Sequence, residues 1–190
     1  MVHVQKILDG IKIMRTCILI PAYNESPHIT RLINKIKETG LPILVIDDGS
    51  QDDTARLAEQ AGAHVMRNEK NMGKGQSLIR GFHYILEQGF DSVITIDADG
   101  QHDPAEITRF IGTAIASPNA IFVGNRLIQP VGMPWSRLLT NKIMSWAISL
   151  IAKQKIPDTQ CCFRLIKNVL LQNLKLKTAN YEIETEVLLR

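Results

Sequence analysis

Three stretches of this chain place acids and amides directly after apolar runs. Tyr23, Asn24 and Glu25 follow the run 16–20; Asp47, Asp48, Gly49 and Ser50 follow 43–46; Asp97, Ala98, Asp99, Gly100, Gln101 and His102 follow 92–96. Clustered carboxylates repel one another and cost stability unless they are protonated or share a cation. Asp97, Asp99 and the adjacent Gln101 offer oxygen donors of the kind that hold Mg²⁺ or Mn²⁺. Asp97 and Asp99 could instead cap the turn and helix that follow, a common use of aspartate in loops. Their place at a strand end favours the metal, because open parallel sheets bind ligands beyond the carboxyl ends of their strands.

Other chemistries are excluded. The first apolar run leads into PAYNES with no GxGxxG, and NMGKGQS does not match GxxxxGK[ST], so neither dinucleotide fingerprint nor P-loop is present. A net charge of +3, from 22 basic against 19 acidic side chains, is too weak to point to nucleic acid. Cys17, Cys161 and Cys162 include an adjacent pair and leave one odd, which argues against a disulfide scaffold and fits a reducing cytoplasm or the cytoplasmic face of a membrane.

These loops need a scaffold, and the hydrophobic pattern supplies one. With 190 residues and 45% hydrophobic content the chain suffices for one domain. Residues 1–15 read as an appendage. After the strand 16–20, Ser26 reads as a helix N-cap with Pro27 in the first position, followed by the stripe Ile29, Leu32, Ile33 and Ile36. Strands at 43–46, 64–67, 92–96 and 121–123 alternate with helices at 54–61, 76–88 and 104–116, several of them closed by glycine. Continuously apolar strands are those covered on both faces, so the fold class is α/β, with a mostly parallel, Rossmann-like sheet and helices on both sides. A long helix at 135–152 is apolar round most of its circumference, with Arg137 and Lys142 near its start. It reads as buried in the core or in a dimer interface, the default for such a helix, or as lying on a membrane surface.

Taken together, IPAYNE at 20–25, VIDDGSQDDT at 45–54, DADGQHDP at 97–104 and GNR at 124–126 resemble the family 2 glycosyltransferases of the GT-A fold. DTQCCFR at 158–164 and YEIETEVLL at 181–189 look more like the dolichyl-phosphate mannose synthase and polyprenyl-phosphate branch than like cellulose or chitin synthases. The resemblance implies a catalytic domain over residues 16–190 acting as an inverting, metal-dependent transferase, with a UDP- or GDP-sugar donor, a lipid-phosphate acceptor and peripheral contact with a membrane. It assigns Pro21, Tyr23, Glu25 and Asp48 to the base and ribose, Asp97 and Ala98 to the donor, and Asp99 and Gln101 to the metal, with Asp97 in support. Lys74, between Gly73 and Gly75 in an expected loop, is placed to approach the diphosphate or to remain solvated.

Arg126 matches the position whose guanidinium lies near phosphate. Gln160, Arg164 and Glu182, with Arg126, fall on the acceptor side, and Asp158 completes a catalytic set with Asp99 and Arg126. Two departures stand out. Cys162 occupies a position where the family usually has glycine, and the chain stops at Arg190 inside an expected helix that relatives continue, as a C-terminally truncated domain would. Two alternatives stay open: transfer to a saccharide or glycolipid hydroxyl with Asp158 as base, and a non-catalytic subunit that binds nucleotide sugars.

Overall fold

The computed structural model describes residues 14–100, 102–118, 120–127, 134–173 and 183–189. Its elements in chain order are β1 (Thr16–Ala22), α1 (Ile29–Lys37), β2 (Ile43–Asp47), α2 (Thr54–Gln60), β3 (His64–Arg67), α3 (Lys74–Glu87) and β4 (Ser92–Thr95). There follow a 3-10 turn (Pro104–Glu106), α4 (Ile107–Ala116), β5 (Ile121–Val123), α5 (Trp135–Ala152), β6 (Arg164–Lys167), α6 (Asn168–Leu171) and α7 (Ile183–Leu189).

The strands form one sheet in the order β3-β2-β1-β4-β6-β5. β1 to β4 are mutually parallel, and β6 runs antiparallel to both β4 and β5. Alternate side chains of a strand face opposite sides. Ile18 and Ile20 of β1 accordingly join α1, α2 and α4 in one core, while Cys17 and Leu19 pack with α3 and α7 in the other. This is the expected α/β architecture, with helices covering both faces of a mostly parallel sheet.

The sequence expectation needs several corrections. Arg15, assigned to the appendage, belongs to the fold: its N–H donates to Asp91 and its guanidinium lies over the Phe90 ring. Residues 1–13 lie outside the described residues. Ser26 does not cap α1, because the helix begins only at Ile29 with His28 in the cap position, and the Glu25 carbonyl accepts the N–H groups of both His28 and Ile29. A turn therefore precedes the helix. Strand β6, which the sequence reading omitted, sits in the sheet between β4 and β5.

The long helix α5 is the largest surprise. Its inner stripe is Asn141, Ser145 and Ile148, two of the three polar, while Trp135, Leu139, Ile143, Trp146 and Leu150 point outward. The reading as a core helix is overturned. The cause lies in its partner: the Ser145 hydroxyl accepts the Thr159 N–H, and the Ser149 hydroxyl accepts the Ile156 N–H. A polar loop, 156–159, needs hydroxyls facing it, and the apolar residues are left on the other side.

Candidate active site

The carboxyl ends of β1, β2 and β4 open into a cleft of about 510 Å³, a size typical of small-molecule sites. Pro21, Tyr23, Glu25, Asp48, Lys74, Asp97, Ala98 and Asp99 all line it. Every donor-side residue singled out from the sequence thus comes to one place. Gln101 and Glu182 lie outside the described residues.

The loop after β1 is held by the loop after β2. The Asn24 N–H donates to the Ser50 hydroxyl, the Glu25 N–H to the Thr54 hydroxyl, and the Gln51 N–H back to the Asn24 side chain. Asn24 takes a left-handed φ of 55°, a conformation asparagine tolerates better than most residues. The VIDDGSQDDT motif therefore supplies the framework that aims Tyr23 and Glu25, a role not read from its sequence.

Asp48 is buried and accepts the N–H groups of Met72 and Gly73 and the Asn68 amide. It lines the cleft and also ties down the loop ahead of α3. Gly49 makes this possible, since a Cβ there would stand 2.6 Å from the Lys70 carbonyl carbon.

Lys74 is not in a loop. Gly73, at φ 91°, caps α3, and Lys74 is its first residue. The Lys74 ammonium lies 2.7 Å from an Asp97 oxygen. Burial works to raise the Asp97 pKa, but the Lys74 ammonium, the Cys162 thiol hydrogen-bonded to it and His102 outweigh that and hold it below the usual carboxylate range. Burial keeps His102 below the ordinary imidazole range, with Arg126 and Lys74 acting in the same sense and Asp97 and Asp99 opposing. Glu25 is raised, first by burial and then by Asp99, Asp97 and Asp52, against the pull of His28. Mutual repulsion among Glu25, Asp97 and Asp99 is what a divalent cation would relieve, and their hard oxygen donors suit Mg²⁺ or Mn²⁺.

The residues that the sequence resemblance assigns to the acceptor side form a second group. Asp158 is fully buried, and its carboxylate accepts from the Arg126 guanidinium at 3.0 and 3.3 Å, from the Arg126 N–H at 3.2 Å and from the Gln160 N–H at 3.2 Å. Both its oxygens are occupied. Arg164 is also buried and turned onto the carbonyls of Thr159 and Cys161, which braces the loop that carries Asp158. Cys17 and Cys161 are buried thiols pushed up to about 12 and about 11, which leaves them protonated core residues.

Arg137, Asn71 and Ser77 also line the cleft. In the sequence Arg137 reads only as a charge near a helix start. The first turn of α5 brings Arg137 to the cleft that Asp97 and Asp99 also line.

Residues 17–175 match the domain described as Glycosyl transferase family 2. The polyprenol monophosphomannose synthase of Mycolicibacterium smegmatis is 28% identical over 178 residues, covering 87% of this chain and 66% of its own length. The undecaprenyl-phosphate mannosyltransferase of Micrococcus luteus is 33% identical over 148 residues, covering 72% of this chain and 58% of its own. Glucosyl-3-phosphoglycerate synthase from Mycobacterium tuberculosis, solved with Mn²⁺, UDP and glucosyl-3-phosphoglycerate, superposes with a TM-score of 0.71 at 20% identity, over 92% of this chain and 64% of that one. That likeness is one of fold, the GT-A arrangement. The chain spans less than two thirds of the length of each of these relatives, from 58% to 66%. With a matched segment running from β1 to beyond β6, the chain belongs to glycosyl transferase family 2.

Proposed function

We propose that this chain is the catalytic domain of an inverting glycosyltransferase that moves a sugar from a nucleoside-diphosphate sugar to a polyprenyl phosphate or a similar lipid-linked acceptor, at the cytoplasmic face of a membrane. The observation that carries the reading is the single cleft at the ends of β1, β2 and β4, which joins an acidic rim to the basic groups Lys74 and Arg137. Glu25, Tyr23 and Asp48 bind the nucleoside end of the donor. Asp99 and Gln101, with Asp97 in support, would hold Mg²⁺ or Mn²⁺. When bound, that cation supplies charge stabilisation to the departing diphosphate. Lys74 exchanges its contact with Asp97 for the donor's phosphates, and Arg126, fixed by Asp158, presents a rigid fork to phosphate.

The measurement that tests this reading is release of UDP or GDP from a panel of nucleotide sugars, with and without Mn²⁺ and with and without polyprenyl phosphate. Release that requires the cation and is stimulated by the lipid is the expected outcome. Release equally fast in a chelator would sink the metal-dependent mechanism.

The lipid acceptor is supported by α5. Its outer face exposes Trp135, Ile143, Trp146, Leu150 and Ile151, while Arg137 and Lys142 sit toward its start. Aromatic and aliphatic side chains beside basic ones are the make-up of a helix lying in a membrane interface. Among the described residues no helix is long and apolar enough to cross a membrane. Burying one large apolar side chain contributes about 1.5–3 kcal/mol. Trp146→Glu should therefore reduce partitioning onto anionic phospholipid vesicles by about tenfold or more. Because Trp146 is 66% exposed, thermal stability should hardly change. Unaltered co-sedimentation of the variant with vesicles would remove this helix from the membrane contact.

A further inference from the structure

Beside the cleft, Asp97, His102 and Cys162 bring a carboxylate oxygen, an imidazole nitrogen and a sulfur within 4.8 Å of one another. We propose that these side chains form a site for a thiophilic divalent cation such as Zn²⁺, distinct from the oxygen-donor site of Asp99 and sharing Asp97 with it. Ligand chemistry separates the two. Thiolate and imidazole select Zn²⁺, whereas Mg²⁺ requires near-octahedral oxygen coordination.

The spacing of the His102–Cys162 pair is close to that of a bound state. The His102 Nε2 lies 3.0 Å from the Cys162 Sγ. Zinc bonds of about 2.3 Å to sulfur and about 2.0 Å to nitrogen put those atoms roughly 3.5 Å apart in a tetrahedral shell, so this pair opens by about half an ångström while the Asp97 side chain turns in to complete the set. Both side chains are buried and held in place. The Cys162 carbonyl accepts the Thr95 hydroxyl at 2.6 Å, and the His102 ring packs on Phe163 with centroids 5.4 Å apart. Asp97 is partly exposed to the cleft, where the Lys74 ammonium lies 2.7 Å from it, so the cation displaces that ammonium and a fourth ligand reaches it from the cleft side, as in three-ligand zinc sites. As the metal–sulfur bond forms, the thiol proton leaves to solvent and the carboxylate exchanges its hydrogen bond from Cys162 for the cation.

Sharing Asp97 makes occupancy by Zn²⁺ antagonistic to metal-supported turnover, a consequence that rests on the transferase reading; the binding itself does not. The test titrates the full, chelator-stripped chain with Co²⁺ alone, in the absence of any nucleotide sugar. A thiolate-to-cobalt charge-transfer band that Zn²⁺ abolishes and Mg²⁺ does not is expected. Outer partners of metal ligands contribute about 10–100-fold to affinity, and a ligand should contribute no less. Cys162→Ser should thus lose the band and weaken Zn²⁺ binding by at least about 100-fold, with Cys162→Gly as a second variant should serine perturb folding. Absence of the band in the parent chain, or its survival in both variants, overturns the site. In the turnover assay, Zn²⁺ should inhibit the parent in the presence of Mn²⁺ and spare Cys162→Ser. If the parent turns over no donor at all, the transferase reading fails while the cobalt spectrum still decides the site.

Discussion

Replacing Asp99 by alanine is expected to lower cation-dependent nucleotide release by about 10³-fold or more and, at the same time, to stabilise the cation-free protein. The first effect follows from the job proposed for this carboxylate. Lewis-acid stabilisation of a departing phosphate contributes several kcal/mol, and each 1.36 kcal/mol is about tenfold in rate. The second follows from crowding. Glu25 has its pKa raised by burial and then by Asp99 and Asp97. A carboxyl with a raised folded-state pKa adds stability below its unfolded pKa and loses it as pH rises through the folded one. The cation-free protein should therefore lose stability from the ordinary glutamate range upward, and removing Asp99 should lessen that loss. Mn²⁺ should raise the thermal midpoint of the parent chain at neutral pH and leave that of Asp99→Ala nearly unchanged. Equal Mn²⁺ shifts in both proteins, measured by calorimetry, would contradict the assignment of Asp99 to the cation.

The donor half of this site was legible in the sequence because its signals are local. Each of β1, β2 and β4 is an apolar run with the proposed donor-site residues directly behind it, so the strand-end rule brought Tyr23, Asp48 and Asp99 to one edge without knowledge of the sheet order. What could not be read depends on distant partners. Strand β6 begins with Arg164, whose side chain is buried against the carbonyls of Thr159 and Cys161, and charge at a strand start masks the pattern. The flanking glycines of Lys74 suggested a loop, but Gly73 is the cap that starts α3. The apolar circumference of α5 suggested burial, because nothing local reveals that its packing partner is the polar segment around Thr159. His102 and Cys162 lie 60 positions apart and meet only because β4 and β6 are neighbours.

Asp158→Ala should cost about 3–5 kcal/mol of folding stability, since it strips the buried partner from the Arg126 guanidinium and leaves a half-buried charge uncompensated. Asp158→Asn should cost less, because it keeps the shape and one acceptor oxygen. If the pair acts as a unit, Arg126→Met combined with Asp158→Ala should be clearly less destabilising than the sum of the single changes, by at least about 1 kcal/mol. Turnover should behave in the same way, each single variant falling by a similar factor and the double variant falling little further. A general base predicts something different. Asp158→Asn would then abolish the acidic limb of the pH–rate profile while Arg126→Met preserved it. The geometry favours the first outcome, because both Asp158 oxygens are already engaged by Arg126 and Gln160 and the side chain is wholly buried. A phosphate acceptor makes the same demand from the other direction. With a second pKa of about 6 it is largely dianionic at neutral pH and needs no base. What it needs is a fixed cationic group to offset its repulsion from the donor diphosphate, and a guanidinium gripped at two oxygens by a buried carboxylate provides that.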